Sequence, residues 1–236
     1  GLGQIYAPKT TCSTNSTGAA ASRVYQQGAR FANAEFFQFH HTAMLGEDKT
    51  RLLIPAAVRG HYYKRERTVG TAPLTRPISF SIPASKLVLR VPREKTRRFA
   101  THVQCDEAYR IPWIAENCKS KYAFDSEDAY RADLQTSLFG LTMKKAGWDC
   151  MRHYEVASNG CVPAFWQLSR KPSYCAPFGL VDGVNCVAFE TAEELDERTR
   201  ALESDPSAYA DLANGALAWA REYSAEAHAD RWLATL

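Results

Sequence analysis

The stretch SLFGLTMKKAGWDCMRHYEVASNGCVPAFW, residues 137–166, decides the fold. Residues 137–143 form an apolar run of strand type, residues from about 148 to 159 read as a helix, and 161–166 are again apolar. Gly160 falls between helix and strand, where a left-handed residue closes the last helical turn. Strand, helix and strand in this space form a βαβ unit, whose right-handed crossover lays the second strand parallel to the first. The spacing therefore predicts 137–143 and 161–166 as parallel neighbours in one sheet.

Similar signals continue on both sides. Upstream, ISFSIP (78–83) and LVLRV (87–91) read as strands. Pro92 suits the first turn of a helix through EKTRRFATHVQ (94–104). YAF (122–124) is a short apolar piece, and Ser126 caps a helix through residue 135. Downstream, VNCVAFE (184–190) is a further buried strand, and Thr191 with Glu194 makes a capping box for a helix to about Glu203. Asp205-Pro206 starts another over 207–223, and Ser224 caps a last one ending at Leu236. Short apolar strands alternating with amphipathic helices predict an α/β fold: a Rossmann-like parallel sheet over 78–236, with helices on both faces and at least four strands within 78–190. Residues 1–77 read as a short basic N-terminal region. It comprises a small-residue loop at 9–22, a helix over 23–45 ending near Gly46, and the connector HYYKRERTVGTAPLTRP (61–77).

With 236 residues, 45% of them hydrophobic and 23% charged, the chain can bury a sizeable core, which excludes wholesale disorder. The formal net charge of +3 hides an asymmetry: 1–123 carry 19 Lys+Arg against 8 Asp+Glu, and 124–236 carry 10 against 18. That division fits an anionic ligand handled by the first part, or two oppositely charged solvated surfaces. No run approaches the ~20 apolar residues of a membrane helix, and no signal peptide opens the sequence, so a cytoplasmic protein without a transmembrane segment is expected. The seven cysteines never form Cys-x-x-Cys, so zinc-type spacing is absent and reduced, structural thiols are expected.

Ligands of open parallel sheets bind beyond the carboxyl ends of the strands, at helix N-termini. In 137–166 that place is occupied by Lys144 and Lys145, the turn Ala146-Gly147, Asp149 and the start of a helix. Lysines just past a strand end suit phosphate, and the first helical N–H groups add free donors. Arg152 and Glu155 are three apart and share a helical face. A carboxylate there can accept hydrogen bonds from ribose hydroxyls, while arginine grips pyrophosphate by its fork of donors. The competing reading is an Arg–Glu pair on a solvated face, worth little to stability. His153 points to a different helix face from Glu155. The run Arg90, Arg93, Lys95, Arg97 and Arg98 reads as the solvated side of a helix, and Lys64-Arg65-Glu66-Arg67 as a group able to face an anion.

One succession of elements is more specific than its parts. A helix bearing Glu155 leads through Ala157 and Gly160 to a strand with Pro163; later come Gly183-Val184-Asn185 and the capped helix from Thr191 to Leu195. Over roughly 78–236 this resembles the nucleotide-sugar-binding, C-terminal half of GT-B glycosyltransferases, particularly exostosin-like ones. The resemblance implies transfer of a sugar from a nucleoside diphosphate sugar to an unknown acceptor, a glycan among the candidates, with no cofactor and no metal. It places Glu155 on the donor ribose and Gly160 beneath the nucleotide, and Lys144, Lys145 and Arg152 near the diphosphate. Many GT-B enzymes carry a second Glu eight positions before the first. That position is Gly147 here, and Asp149 is the nearest carboxylate. A catalytic base would come from the first half, which holds His40, His41 and His61, though none is singled out as catalytic. For an acceptor-side domain 1–77 is short, which implies a partial or minimal domain or a missing N-terminal one. From a different class comes a non-catalytic Rossmann-like module that binds nucleic acid or an anionic polysaccharide through the basic N-terminal half.

Overall fold

A computed structural model of the protein describes Gln27 and residues 62–66, 75–121 and 124–234. The loop expected at 9–22, the helix expected at 23–45, and His40, His41 and His61 lie outside the described residues. The described residues from Tyr62 onward belong to one compact unit, His61–Leu236.

The expected βαβ unit is present. Strand β4 (Ser137–Met143) pairs in parallel with β5 (Val162–Trp166), Phe139 opposite Val162 and Met143 opposite Trp166. On its outer side β4 pairs in parallel with β3 (Arg97–Phe99), and β5 pairs in parallel with β6 (Val187–Phe189). The sheet order is therefore β3-β4-β5-β6, all parallel. A separate parallel pair, β1 (Tyr62–Lys64) with β2 (Thr75–Pro77), lies in the segment expected to be a connector.

Helices cover both faces of the four-stranded sheet. Phe139 and Leu141 of β4 point into a core shared with α1 (Pro112–Asn117), α4 (Ala192–Ser204) and the first half of α5 (Pro206–Glu222). The opposite face of β4 carries Gly140 and Thr142 and meets Val156 and His153 of α3 (Met151–Ser158). Beside α3 lies α2 (Glu127–Thr136), whose Tyr130 and Leu134 are buried with Val156 and Cys161. A last helix, α6 (Ala225–Leu233), follows α5.

The local caps form as their sequences predict. Ser126 Oγ accepts from the Ala129 N–H, Thr191 Oγ1 from the Glu194 N–H, Asp205 Oδ1 from the N–H groups of Ser207 and Ala208, and Ser224 Oγ from the Ala227 N–H. The Glu194 carboxylate reaches the Glu190 N–H at 2.8 Å, one residue before the helix cap.

Two expectations upstream are corrected. Residues 94–104 contain the edge strand β3 where a helix was expected. Differences in helix propensity are below about 1 kcal/mol per residue, and pairing with β4 buries Phe99 completely. Residues 78–91 form no sheet strand. They run irregularly over the helices, with Ile82 packed among Tyr154, Ala216 and Trp219, while the Phe80 N–H is taken by the Asp149 carboxylate at 2.7 Å. Ile82 buries against helix faces, with Phe80 and Leu87 partly buried beside it, whereas Leu89 is left exposed, so the segment lines no sheet. The basic run is accordingly dispersed. Arg90 and Arg93 are exposed on a loop, the Lys95 ammonium donates to the carbonyls of Gln135, Ser137 and Gly160, Arg97 donates to the Asn117 carbonyl, and Arg98 pairs with Asp196 and Glu203.

Gly160 has φ +66°, and a Cβ there would stand 2.7 Å from Pro92 Cδ and 3.1 Å from Val91 Cα. Both the left-handed backbone and the close approach require glycine. Gly160→Val is expected to lower stability by about 1–3 kcal/mol, read as a drop in the urea midpoint. A variant unfolding with the parent would refute this role.

Candidate functional site

At the carboxyl edge of β3 and β4 the chain gathers its cations. Past β3 comes His102, 3% exposed, and past β4 come Lys144 and Lys145. The first turn of α3 adds Arg152, whose guanidinium donates to the His102 carbonyl at 2.9 Å. This bond ties the start of α3 to the end of β3. His102 titrates below its ordinary value, chiefly through burial and then through the nearby Arg152 charge. Lys145 is also lowered, first by burial and then by Arg152. The two lysines part company: Lys144 is exposed with its ammonium 5.3 Å from the centre of the Trp148 ring, and Lys145 shares the field of Arg152.

One helical turn further on, Glu155 leaves the cations and faces α2, where its carboxylate accepts from the Tyr130 hydroxyl at 3.1 Å. Among the described residues no ion pair joins Arg152 and Glu155, so the solvated Arg–Glu pair does not form. Burial, then the Glu155 charge, pushes the Tyr130 hydroxyl well above its usual range, so it stays protonated and donates. The hollow beside Glu155, about 20 Å³ and bordered by Lys86, Glu127, Arg131 and Asn159, has room for about one water molecule. A larger group can reach Glu155 only across its mouth.

Asp149 stands apart from this group. Its side chain is fully buried, and its oxygens accept from the Phe80 N–H at 2.7 Å and the Tyr154 hydroxyl at 2.8 Å, with Arg65 at 3.8 Å. Burial raises its pKa, and these hydrogen bonds and Arg65 pull the other way. The carboxylate braces the 144–150 loop against residues 65 and 80. Its own N–H donates to Glu66 Oε1 at 2.8 Å, and that same oxygen lies 2.6 Å from where a Cβ of Gly147 would be. Glu66, from the preceding segment, therefore packs against Gly147. Arg65 lies over the Phe80 ring at 3.8 Å, and Arg67 is outside the described residues.

Lys144, Lys145 and Arg152 thus lie at the carboxyl edge, Glu155 faces α2 instead, Asp149 is a buried brace, and Gly160 lies at the far end of α3. Sequence reasoning missed His102, Tyr130 and Glu66 as members of this neighbourhood. Among the described residues, no group of three or more His, Cys, Asp or Glu side chains is placed to hold a metal ion. No helix among them is long and apolar enough to cross a membrane.

No known family model matches the chain. Over 49 residues it is 57% identical to the succinate dehydrogenase flavoprotein subunit of Bacillus subtilis (strain 168), a stretch that is 21% of this chain and 8% of that protein.

Beneath the site, His153 is sealed between β4 and β5. Nδ1 meets Thr142 Oγ1, Nε2 lies 2.8 Å from the Trp148 carbonyl, and the ring lies 4.8 Å from that of Phe165. Burial lowers its pKa to about 4. Between that value and the ordinary ~6.5, the unfolded chain binds a proton that the folded chain does not. Stability from this residue is therefore complete above ~6.5 and is lost as pH falls toward 4. Urea unfolding at pH 7 and pH 4.5 should show the parent losing about 2 kcal/mol more than His153→Gln over that interval. Equal losses would assign the acid sensitivity to other groups.

Proposed function

We propose that residues 78–236 are the donor-binding domain of a glycosyltransferase, which holds a nucleoside diphosphate sugar at the carboxyl edge of β3 and β4. The observation that supports this most is the convergence of Lys145 and Arg152 at the N-terminus of α3, with the Glu155 carboxylate one turn beyond. Cations and helix-terminal amides there suit a diphosphate, whose charge grows as it departs with the nucleoside. Glu155, held by Tyr130, keeps lone pairs for ribose hydroxyls. In this reading Lys145 meets the phosphates more directly than Lys144, which lies against Trp148. The acceptor and the sugar would be handled mainly by other parts of the protein, which accords with the small hollow beside Glu155. The match to the flavoprotein subunit spans 8% of that protein, too little to carry its activity to this chain.

Calorimetry with a panel of nucleoside diphosphates tests the reading. A hydrogen bond to a charged group contributes ~1.5–3 kcal/mol, so Glu155→Ala should weaken binding by about 10- to 150-fold. Lys145→Ala should weaken the diphosphate form and spare the unphosphorylated nucleoside, and Lys144→Ala should have the smaller effect. Unchanged affinity in Glu155→Ala removes the ribose role. A parent that ignores nucleotides but is retained on heparin or DNA in a salt-sensitive way would favour the anion-polymer module.

A further inference from the structure

A second hollow lies away from the carboxyl edge. It is a cleft of about 530 Å³, within the range of small-molecule sites, roughly 300–1,000 Å³. Its position follows from the strands. Leu138, the second residue of β4, lies in its wall, and Lys95 beside it donates to the carbonyls of Ser137 and Gly160, at the amino ends of β4 and β5. The cleft therefore opens at the amino edge of the sheet, between the 90–95 loop and the start of α5.

Its lining is divided by chemistry. Leu138, Leu202, Pro206 and Tyr209 form an apolar floor. The Tyr209 hydroxyl is already spent on the Leu138 carbonyl at 3.0 Å, so its ring offers mainly apolar surface. Of the charged groups, Lys95 uses its ammonium on three backbone carbonyls, and Glu203 is held by Arg98 at 3.2 Å. Arg90 and Arg93 remain at the rim, exposed, and their side chains make no ion pair or hydrogen bond among the described residues. An apolar floor under two unpaired guanidinium groups excludes two simple occupants. A bare inorganic anion leaves the floor wet, and a neutral apolar molecule leaves the arginines unanswered.

We infer that this cleft is a second ligand site, for a small amphipathic anion whose apolar body lies on Leu138, Leu202 and Tyr209 and whose phosphate, sulfonate or carboxylate head lies between Arg90 and Arg93. Guanidinium forks match such heads in geometry as well as in charge. The inference is independent of the donor site, since the two sets of residues occupy opposite edges of the sheet.

Octyl phosphate, octanol and inorganic phosphate, each below micelle-forming concentration, are the probes for calorimetry on the full chain. Octyl phosphate is expected to bind with one site per chain, and octanol and inorganic phosphate at least about tenfold more weakly. The double variant Arg90→Ala/Arg93→Ala should lose about tenfold or more in octyl phosphate affinity, as expected when charged hydrogen bonds are removed. Ala210→Phe, from an exposed position of α5 that lines the cleft, should abolish binding by filling the space. Circular dichroism and melting of both variants should match the parent. Octyl phosphate binding undiminished in Ala210→Phe would overturn the assignment, as would inorganic phosphate binding as tightly as octyl phosphate. Capture on anionic vesicles without binding of soluble octyl phosphate, or no binding by the folded parent, would overturn it too.

Discussion

The seating of α3 on β4 is the contact from which the rest of the domain is arranged. At Gly140 a Cβ would come within 2.6 Å of Val156 Cγ1, so the helix rests directly on the strand backbone. That close approach fixes the height of α3 above the sheet. It sets Arg152 at the His102 carbonyl, His153 against Thr142, and Glu155 within reach of Tyr130 on the neighbouring helix. A side chain at position 140 would lift the helix and separate all three contacts at once, because packed interiors have little room to absorb a methyl group.

Around this contact the fold uses buried polar groups as braces, each satisfied by several partners. The Lys95 ammonium joins α2, β4 and the turn before β5 through three carbonyls, and Asp149 joins the loop after β4 to residues 65 and 80. Burying a charge is costly unless it is paired or hydrogen-bonded, so such groups persist where they hold segments that regular secondary structure does not reach. Lys95 titrates below its ordinary value and Asp149 above it, as burial dictates in each case. Two pairs of exposed cations lie at opposite edges: Lys144 and Lys145 at the carboxyl ends of the strands, and Arg90 and Arg93 at the amino ends. The first set has the α3 N-terminus and a carboxylate nearby; the second has an apolar floor. The two edges therefore differ in chemistry, although both are basic.

Local signals were the most legible. Ser126, Thr191, Asp205 and Ser224 each satisfy N–H groups two or three residues ahead, so the sequence alone places the helix starts. The βαβ unit was legible for a similar reason: a strand, a helix ending at Gly160, and a second strand follow one another without interruption. Strand β3 was not, because Arg97 and Arg98 resemble the polar face of a helix, and only the pairing of Phe99 opposite Phe139 makes the segment a strand. Residues 78–91 misled for the opposite reason. Their apolar pattern is real, but Phe80, Ile82 and Leu87 pack on helices and Leu89 stays exposed. In the site, Lys145, Arg152 and Glu155 could be named from spacing on one βαβ unit. His102, Tyr130 and Glu66 could not, since each comes from a separate segment whose arrival no local pattern announces.

What this sequence determined by itself is the set of contacts that close within a few residues: the caps, the left-handed turn at Gly160, and the crossover between β4 and β5. What only the tertiary structure decided is which charges are used up and which remain free. Asp149 looked like a candidate ligand group and became a buried brace; Arg90 and Arg93 looked like one helix face with Lys95 and became the rim of a cleft while Lys95 was drawn inside. The physical reason is that a side chain's fate depends on the backbone groups and solvent around it, and those come from chain segments brought together only when the sheet forms.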